Sequence, residues 1–348
     1  MRILITGNMG YIGPVVVGHL RQVWPDAELI GFDSGFFAQC LTTPGEFPER
    51  RLNSQVFGDV RDFPVELLEG VDAVVHLAAL SNDPIGVRYE PQTEAINYRA
   101  SVSIAEAAAK AGVRNFVFAS SCSVYGFADG EPRKETDALN PLTAYAKSKI
   151  ATEAGLQQLE APDMTITCLR FATACGYSPR LRLDLVLNDF VAAALSTGEI
   201  KVLSNGTPWR PLIDVADMAR AIEWAILRKP NGTDRFLAIN AGRDDHNHQV
   251  SGLAEAVAKA IPGTRISINE NAQPDNRSYQ VDFGRFHDVA PDHQPIVSLP
   301  ESIERLIEGI SGAKQAQHEL PAADMKRLAT LEGLIEAGKV SADMRWIN

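Results

Sequence analysis

Arg2-Ile3-Leu4-Ile5-Thr6-Gly7-Asn8-Met9-Gly10-Tyr11-Ile12-Gly13 is the stretch that decides the fold class. Its first five residues form an apolar, β-branched run, as expected of a buried strand. Three glycines follow, and then an apolar stretch from Tyr11 to Leu20 that can continue as a helix. Strand, glycine turn and helix in this order are the context of a dinucleotide-binding unit. Gly7 permits the tight turn, Gly10 lets the backbone approach a pyrophosphate, and Gly13 lets helix and strand pack closely. Met9, Tyr11 and Ile12 complete the turn, whose helix N-terminus offers free N–H groups to phosphates. Pro14 is harmless, because the first helical turn has no N–H bonds to lose. The competing reading is an ordinary glycine turn.

The chain beyond the turn weighs against that reading. Glu28-Leu29-Ile30-Gly31-Phe32 reads as a second strand ending at Asp33, an acid placed to accept from a ribose 2′-hydroxyl. Its charge repels a 2′-phosphate, which favours NAD over NADP. Val56-Phe57-Gly58-Asp59-Val60 reads as a strand whose Asp59 can face an adenine amino group, with Val60 beside it. Asp72 to Leu77 runs into Ala78-Ala79, small residues that let a cofactor lie against the backbone, and His76 reads as a buried strand histidine. A fifth strand, Asn115 to Ala119, delivers Ser120, Ser121, Cys122 and Ser123 at its C-terminal end, where open α/β sheets bind ligands.

After Asn140-Pro141 a helix is expected from about Leu142 to Leu159, with Tyr145 and Lys149 one turn apart on one face. A free tyrosine, with a pKa of about 10, is a poor base at neutral pH. A lysine ammonium and a positive nicotinamide ring nearby both favour the phenolate. Tyr145 can then take a hydroxyl proton as hydride leaves the same carbon. Ser121 can hold that oxygen, and Lys149 can hydrogen-bond the nicotinamide ribose. The competing reading is a surface helix with an incidental Tyr and Lys.

Together these motifs resemble the extended short-chain dehydrogenase/reductases, specifically the nucleotide-sugar epimerase/dehydratase family. The likeness runs from about Met1 to Ile310. It includes His76-Leu77-Ala78-Ala79, Asn97, Ser120 to Gly126, and Trp209-Arg210-Pro211-Leu212-Ile213-Asp214-Val215. The resemblance implies a tightly held NAD, transient oxidation of a sugar nucleotide, usually at C4, and a catalytic set of Ser121, Tyr145 and Lys149. It places Asn97 and Ser120 among the cofactor-binding residues. Ser81, Ser121, Cys122, Ser123, Thr173, Asn188, Arg210 and Arg277 fall on the substrate side. The family's 4,6-dehydratases carry an Asp-Glu pair where this chain has Cys122 and Ser123, so an epimerase is favoured over a dehydratase. Cys122 is read as a small packing residue, or as a proton donor in an unusual elimination. Thr173 stands where an Asn is common, and Ala272 where many relatives carry an arginine, with Arg277 close by. A net C4 dehydrogenase or 4-keto-sugar reductase, an atypical dehydratase, and a non-catalytic dinucleotide sensor remain as alternatives.

At 348 residues the chain can bury a large core. Alternating strands and helices in the first half imply an α/β fold, a Rossmann-type doubly wound parallel sheet, with a smaller mixed lobe for substrate. The expected division is 1–175 for NAD, with 209–242 returning to it through a helix near Asp214 to Leu227 and a strand at Arg235 to Asn240. Residues 176–208 and 243–348 form the substrate lobe and a C-terminal helical extension. In that extension Ala323 to Ile335 has helical periodicity, and Trp346 and Ile347 suggest that the end docks onto an apolar surface of its own lobe or of a partner subunit. A formal net charge of −11 argues against nucleic-acid or anionic-membrane partners. No apolar run approaches the length of a membrane span. The four cysteines lack the spacing of a zinc site or disulfide framework, so no metal is expected. A strand at the very start leaves no signal peptide, and a cytoplasmic location fits. The resemblance implies a homodimer through the helices at about 91–111 and 142–159.

Overall fold

The computed structural model describes residues 1–347 except 44, 82, 129, 231–233, 273–277 and 318–324. In chain order the strands are β1 (Arg2–Thr6), β2 (Glu28–Asp33), β3 (Ser54–Phe57), β4 (Ala73–His76), β5 (Asn115–Ser121), β6 (Thr165–Phe171) and β7 (Thr173–Cys175). They continue with β8 (Glu199–Val202), β9 (Trp209–Asp214), β10 (Phe236–Ala241), β11 (Asn247–Gln249) and β12 (Arg265–Ile268). Among the described residues, seven of them form one parallel sheet in the order β10-β6-β5-β4-β1-β2-β3. The order reverses between β1 and β4, so a crevice opens beyond their C-terminal ends, where doubly wound sheets bind ligands.

Apolar residues on both strand faces make this a two-sided sheet. Ile3, Ile5, Val75, Val117 and Leu169 face one core, shared with the Gly13–Val23 and Val215–Leu227 helices. Leu4, Val74, Phe116, Phe118 and Ile166 face the other, under the Ala100–Lys110 helix. The expected strand at 235–240 lies in this sheet as β10, parallel to β6. Three sequence expectations shift. β6 was not anticipated, because its apolar run is interrupted by Thr165, Thr167 and Arg170, all of which are buried. β9 does not join the main sheet but pairs with β7 and β11 in a smaller one. The helix expected at 91–111 carries a π-helical segment at Glu94–Arg99.

A buried polar cluster ties the two lobes together. Glu153 and Arg170 are 6% and 7% exposed and pair at 2.7 Å. Glu153 also accepts from Ser120 Oγ at 2.5 Å, and Arg170 Nη1 donates to the Tyr125 hydroxyl at 3.1 Å. That hydroxyl donates to Asn240 Oδ1 at 2.7 Å, and Asn240 reaches the carbonyls of Arg133 and, in the smaller lobe, Asp282. His76 bonds Thr6 Oγ1 at 2.7 Å and Ser101 Oγ at 2.8 Å. Burial pushes it down to about 3, so it is a neutral strand residue as expected.

The C-terminal extension bonds Arg180 and Leu183 through Arg327 and Met325, and reaches beyond them to the first 100 residues. Its helix, Arg327–Glu336, and the segment after it bury Leu331 and Met344 against Phe36, Ile85 and Ile96. All four cysteines are buried free thiols. No helix among the described residues is long and apolar enough to cross a membrane.

Removing one partner of a buried ion pair strands the other charge. Glu153→Ala is therefore expected to lower unfolding stability by about 3–5 kcal/mol, read from the shift of the urea midpoint. A loss below about 1 kcal/mol would show that water reaches Arg170 and that the pair is not sealed.

Candidate active site

The crevice is a cavity of about 720 Å³ running from the glycine turn to the smaller lobe. Gly7 has φ 74°, and a Cβ there would meet Ala78 N at 2.5 Å, so only glycine fits between β1 and the Leu77-Ala78-Ala79 segment. At Gly10 a Cβ would meet only the Gly7 carbonyl, at 3.2 Å, and the residue lines the cavity. Its missing side chain leaves room for a group to approach the backbone. Tyr11 and Ile12 line the same wall. Gly13 does not reach the cavity. A Cβ there would strike the Asn8 carbonyl at 2.1 Å, so its task is close packing of helix on turn.

The Asp33 carboxylate lines the cavity and accepts from Met9 N at 3.0 Å and Gly35 N at 2.8 Å. Burial raises its pKa, and those two N–H groups oppose the rise. Each oxygen takes one backbone N–H donor and keeps a lone pair for a ribose hydroxyl. Met9 contributes that backbone N–H, while its side chain is buried away from the cavity. Asp59 and Val60 line the cavity, but Arg61 grips the Asp59 carboxylate through Nε at 2.9 Å and Nη2 at 2.5 Å. Burial alone would raise Asp59, but the Arg61 bonds outweigh it and hold it low. Asn97, expected against the cofactor, lies behind the wall. Its amide spans Leu80, accepting from the N–H at 2.8 Å and donating to the carbonyl at 3.0 Å.

At the other end Ser120, Ser121, Ser123, Tyr145 and Lys149 line the cavity together. Thr143 caps the Ala144–Gln157 helix, which places Tyr145 in its first turn. The Ser121 side chain lies close enough to Tyr145 to favour its phenolate. The expected electrostatics need correction. Lys149 Nζ turns to the Ala119 carbonyl at 2.7 Å and lies 5.4 Å from the Tyr145 ring centre. Burial pushes Lys149 down to about 7, with Glu153 opposing. Burial pushes Tyr145 up to about 12, and the main opposing charge is Arg182. Arg182 is 7% exposed, lines the cavity, holds Asp184 at 2.9 Å and donates to Ser81 Oγ at 3.1 Å. The sequence reading missed it, since Pro179-Arg180-Leu181-Arg182 carries no motif.

The substrate-side expectations divide. Ser81, Thr173 and Arg210 line the cavity, and Ser123 Oγ is buried there without a hydrogen-bond partner. Cys122 does not reach it. The thiol is fully buried, donates to the Arg170 carbonyl at 3.0 Å, and is pushed up by burial. A packing role fits and a proton-donor role does not. Asn188 also faces away: its amide accepts from Gly176 N and donates to the Tyr11 hydroxyl and the Arg182 carbonyl, all at 3.0 Å. Arg277 lies outside the described residues. Lys326 and Arg327, from the C-terminal extension, line the cavity without having been anticipated.

Known proteins share this architecture. The chain is 29% identical to the uncharacterized UDP-glucose epimerase YtcB of Bacillus subtilis, over 91% of this chain and 100% of that protein. It is 25% identical to UDP-glucose 4-epimerase of Corynebacterium glutamicum, over 78% of this chain and 89% of the relative. The structure of MoeE5 in complex with UDP-glucuronic acid and NAD superposes with a TM-score of 0.76 at 25% identity, covering 90% of this chain and 100% of that one. The family model described as "NAD dependent epimerase/dehydratase family" matches residues 3–242, and the chain belongs to that family.

Proposed function

We propose that this NAD-dependent enzyme epimerises a nucleoside-diphosphate sugar by transient oxidation at C4, with Tyr145 as the base. The observation that carries the reading is the convergence of Ser121, Tyr145 and Lys149 on one cavity with the glycine turn and Asp33. The names of the relatives support the substrate class. The turn amides and Asp33 fit the cofactor's diphosphate and ribose, and bound NAD supplies a reversible hydride acceptor beside the sugar. Ser121 positions the reacting hydroxyl oxygen, and Tyr145 removes its proton and later returns it. Arg182 makes the phenolate less costly. Arg210 fits a substrate phosphate through its planar guanidinium. The absence of carboxylates at Cys122 and Ser123 supports an epimerase over a 4,6-dehydratase. We also propose a homodimer through the helical stretch 90–110 and the Ala144–Gln157 helix.

Incubation with a panel of C4-deuterated UDP- and dTDP-sugars tests the reaction. The expected product has unchanged mass and retains the deuterium, and near-stoichiometric NAD or NADH is released on denaturation. Loss of water from every accepted substrate overturns the epimerase reading. Net formation of NADH with each turnover would move it to a dehydrogenase.

Tyr145→Phe is expected to lower turnover by about 10²–10⁴-fold with cofactor retention within twofold, as judged by chromatography of the denatured protein. Undiminished turnover would remove Tyr145 as the base. The base form exists above the Tyr145 pKa, so activity rises with pH through it. Removing the Arg182 charge raises that pKa. Arg182→Gln should therefore move the rising limb of the kcat/KM profile up by about one pH unit, and Arg182→Lys should restore part of the shift. A limb that stays in place would show that Arg182 does not act on the base.

A further inference from the structure

Residues 325–347 lie beside the cavity at its Asp33 and Asp59 end, with Lys326 and Arg327 lining it. At one end the Met325 carbonyl accepts from Leu183 N at 2.9 Å. At the other, Trp346 Nε1 donates to the Ser34 carbonyl at 2.6 Å, and its ring lies 5.5 Å from Phe36. Between them the Met344 carbonyl accepts from Arg61 Nη2 at 2.8 Å, and Arg345 pairs with Asp62. Every one of the latter contacts is made to the loops that follow β2 and β3, next to Asp33 and Asp59. Residues 325–347 also lie outside the 3–242 segment matched by the family model.

This strap delivers Arg327 to the cavity. Arg327 is 2% exposed, lies over the Phe37 ring at 4.7 Å, and donates through Nη2 to the Arg180 carbonyl at 2.8 Å. Among the described residues its other terminal nitrogen, Nη1, is buried without a hydrogen-bond partner. The neighbouring arginines are neutralised, Arg180 by Glu49 at 2.5 Å and Arg182 by Asp184 at 2.9 Å. Among the described residues, no carboxylate pairs with Arg327. A buried guanidinium left without an anion is unfavourable unless a ligand supplies one. Burial pushes its pKa down to about 10, consistent with a missing counter-charge.

The position indicates which anion. The 178–180 segment, whose Arg180 carbonyl accepts from Arg327, lies on the glycine turn: Ser178 Oγ donates to the Tyr11 carbonyl at 2.6 Å and accepts from Arg180 N at 3.2 Å. That turn is where a dinucleotide's diphosphate rests. We propose that residues 325–347 form a cofactor strap in which Arg327 donates to the diphosphate of the bound dinucleotide. The proposal rests on the NAD reading above. The strap closes over the cofactor's adenosine half, and the charge that completes the phosphate site comes from outside the glycine turn.

Titration of the nucleotide-stripped full chain with ADP and with adenosine tests it, since the two probes differ by the diphosphate. Arg327→Met is expected to weaken ADP binding ten- to hundredfold and leave adenosine within twofold. The same variant should melt no lower than the parent without nucleotide, because an unpaired buried charge has been removed. Arg327→Lys should recover part of the ADP affinity. Equal losses of ADP and adenosine, or a lowered melting temperature, would assign Arg327 a structural role and overturn the proposal. Unchanged ADP binding with weakened UDP binding would place the residue on the substrate's diphosphate and overturn it too. A chain that binds ADP through Arg327 but epimerises no sugar nucleotide would keep the strap and sink the epimerase reading.

Discussion

The Glu153–Arg170 ion pair is the constraint on which the rest of the site depends. Two charges buried this deeply are tolerable only with their remaining hydrogen-bonding capacity filled. Ser120 fills it from β5, Tyr125 from the turn after β5, and Asn240, through Tyr125, from β10. The pair therefore locks the Ala144–Gln157 helix to three strands at once. Lys149 and Tyr145 ride on that helix one and two turns ahead of Glu153, so their reach into the cavity is set by this buried cluster. Asn240 passes the same constraint to the smaller lobe through the Asp282 carbonyl.

The electrostatics of the base follow from how dry this site is. Burial holds the Tyr145 phenol near 12 and Lys149 near 7, which drives apart two groups whose ordinary values are close. Lys149 is thus a weak source of positive charge at neutral pH, and its hydrogen bond to the Ala119 carbonyl fixes its position. The protein keeps its base protonated and relies on positive charge brought close to it. Arg182 supplies part of that charge from the smaller lobe, and a positively charged nicotinamide ring is suited to supply the rest.

Features set by local chemistry were legible in the sequence. The glycine turn, the acid ending β2, the buried strand histidine and the helical spacing of Tyr145 and Lys149 each follow from residues a few positions apart. Features set by long-range packing were not. Arg182 and Arg327 acquire meaning only when the chain folds residues 180–183 and 325–327 against the glycine turn. Asn97, Cys122 and Asn188 stand at positions where the family resemblance expects a site residue, yet each spends its polar atoms on neighbouring protein groups. Composition cannot reveal that, because the same amide or thiol would serve a ligand if it were turned through one rotamer. β6 was hidden for a related reason: its polar residues are satisfied by partners distant in sequence, so its run did not look apolar.

The strap has a consequence for the order in which the molecule is completed. Residues 325–347 follow in the chain every loop that they cover, so during synthesis the cofactor-binding half emerges well before the segment that closes on it. A dinucleotide arriving in that interval meets the crevice before its strap, whereas one arriving later meets the strap already docked through Trp346 and Met344. Local opening of that segment then becomes a step that exchange can depend on, beside the affinity of the crevice. Filling and emptying the site become separate kinetic problems.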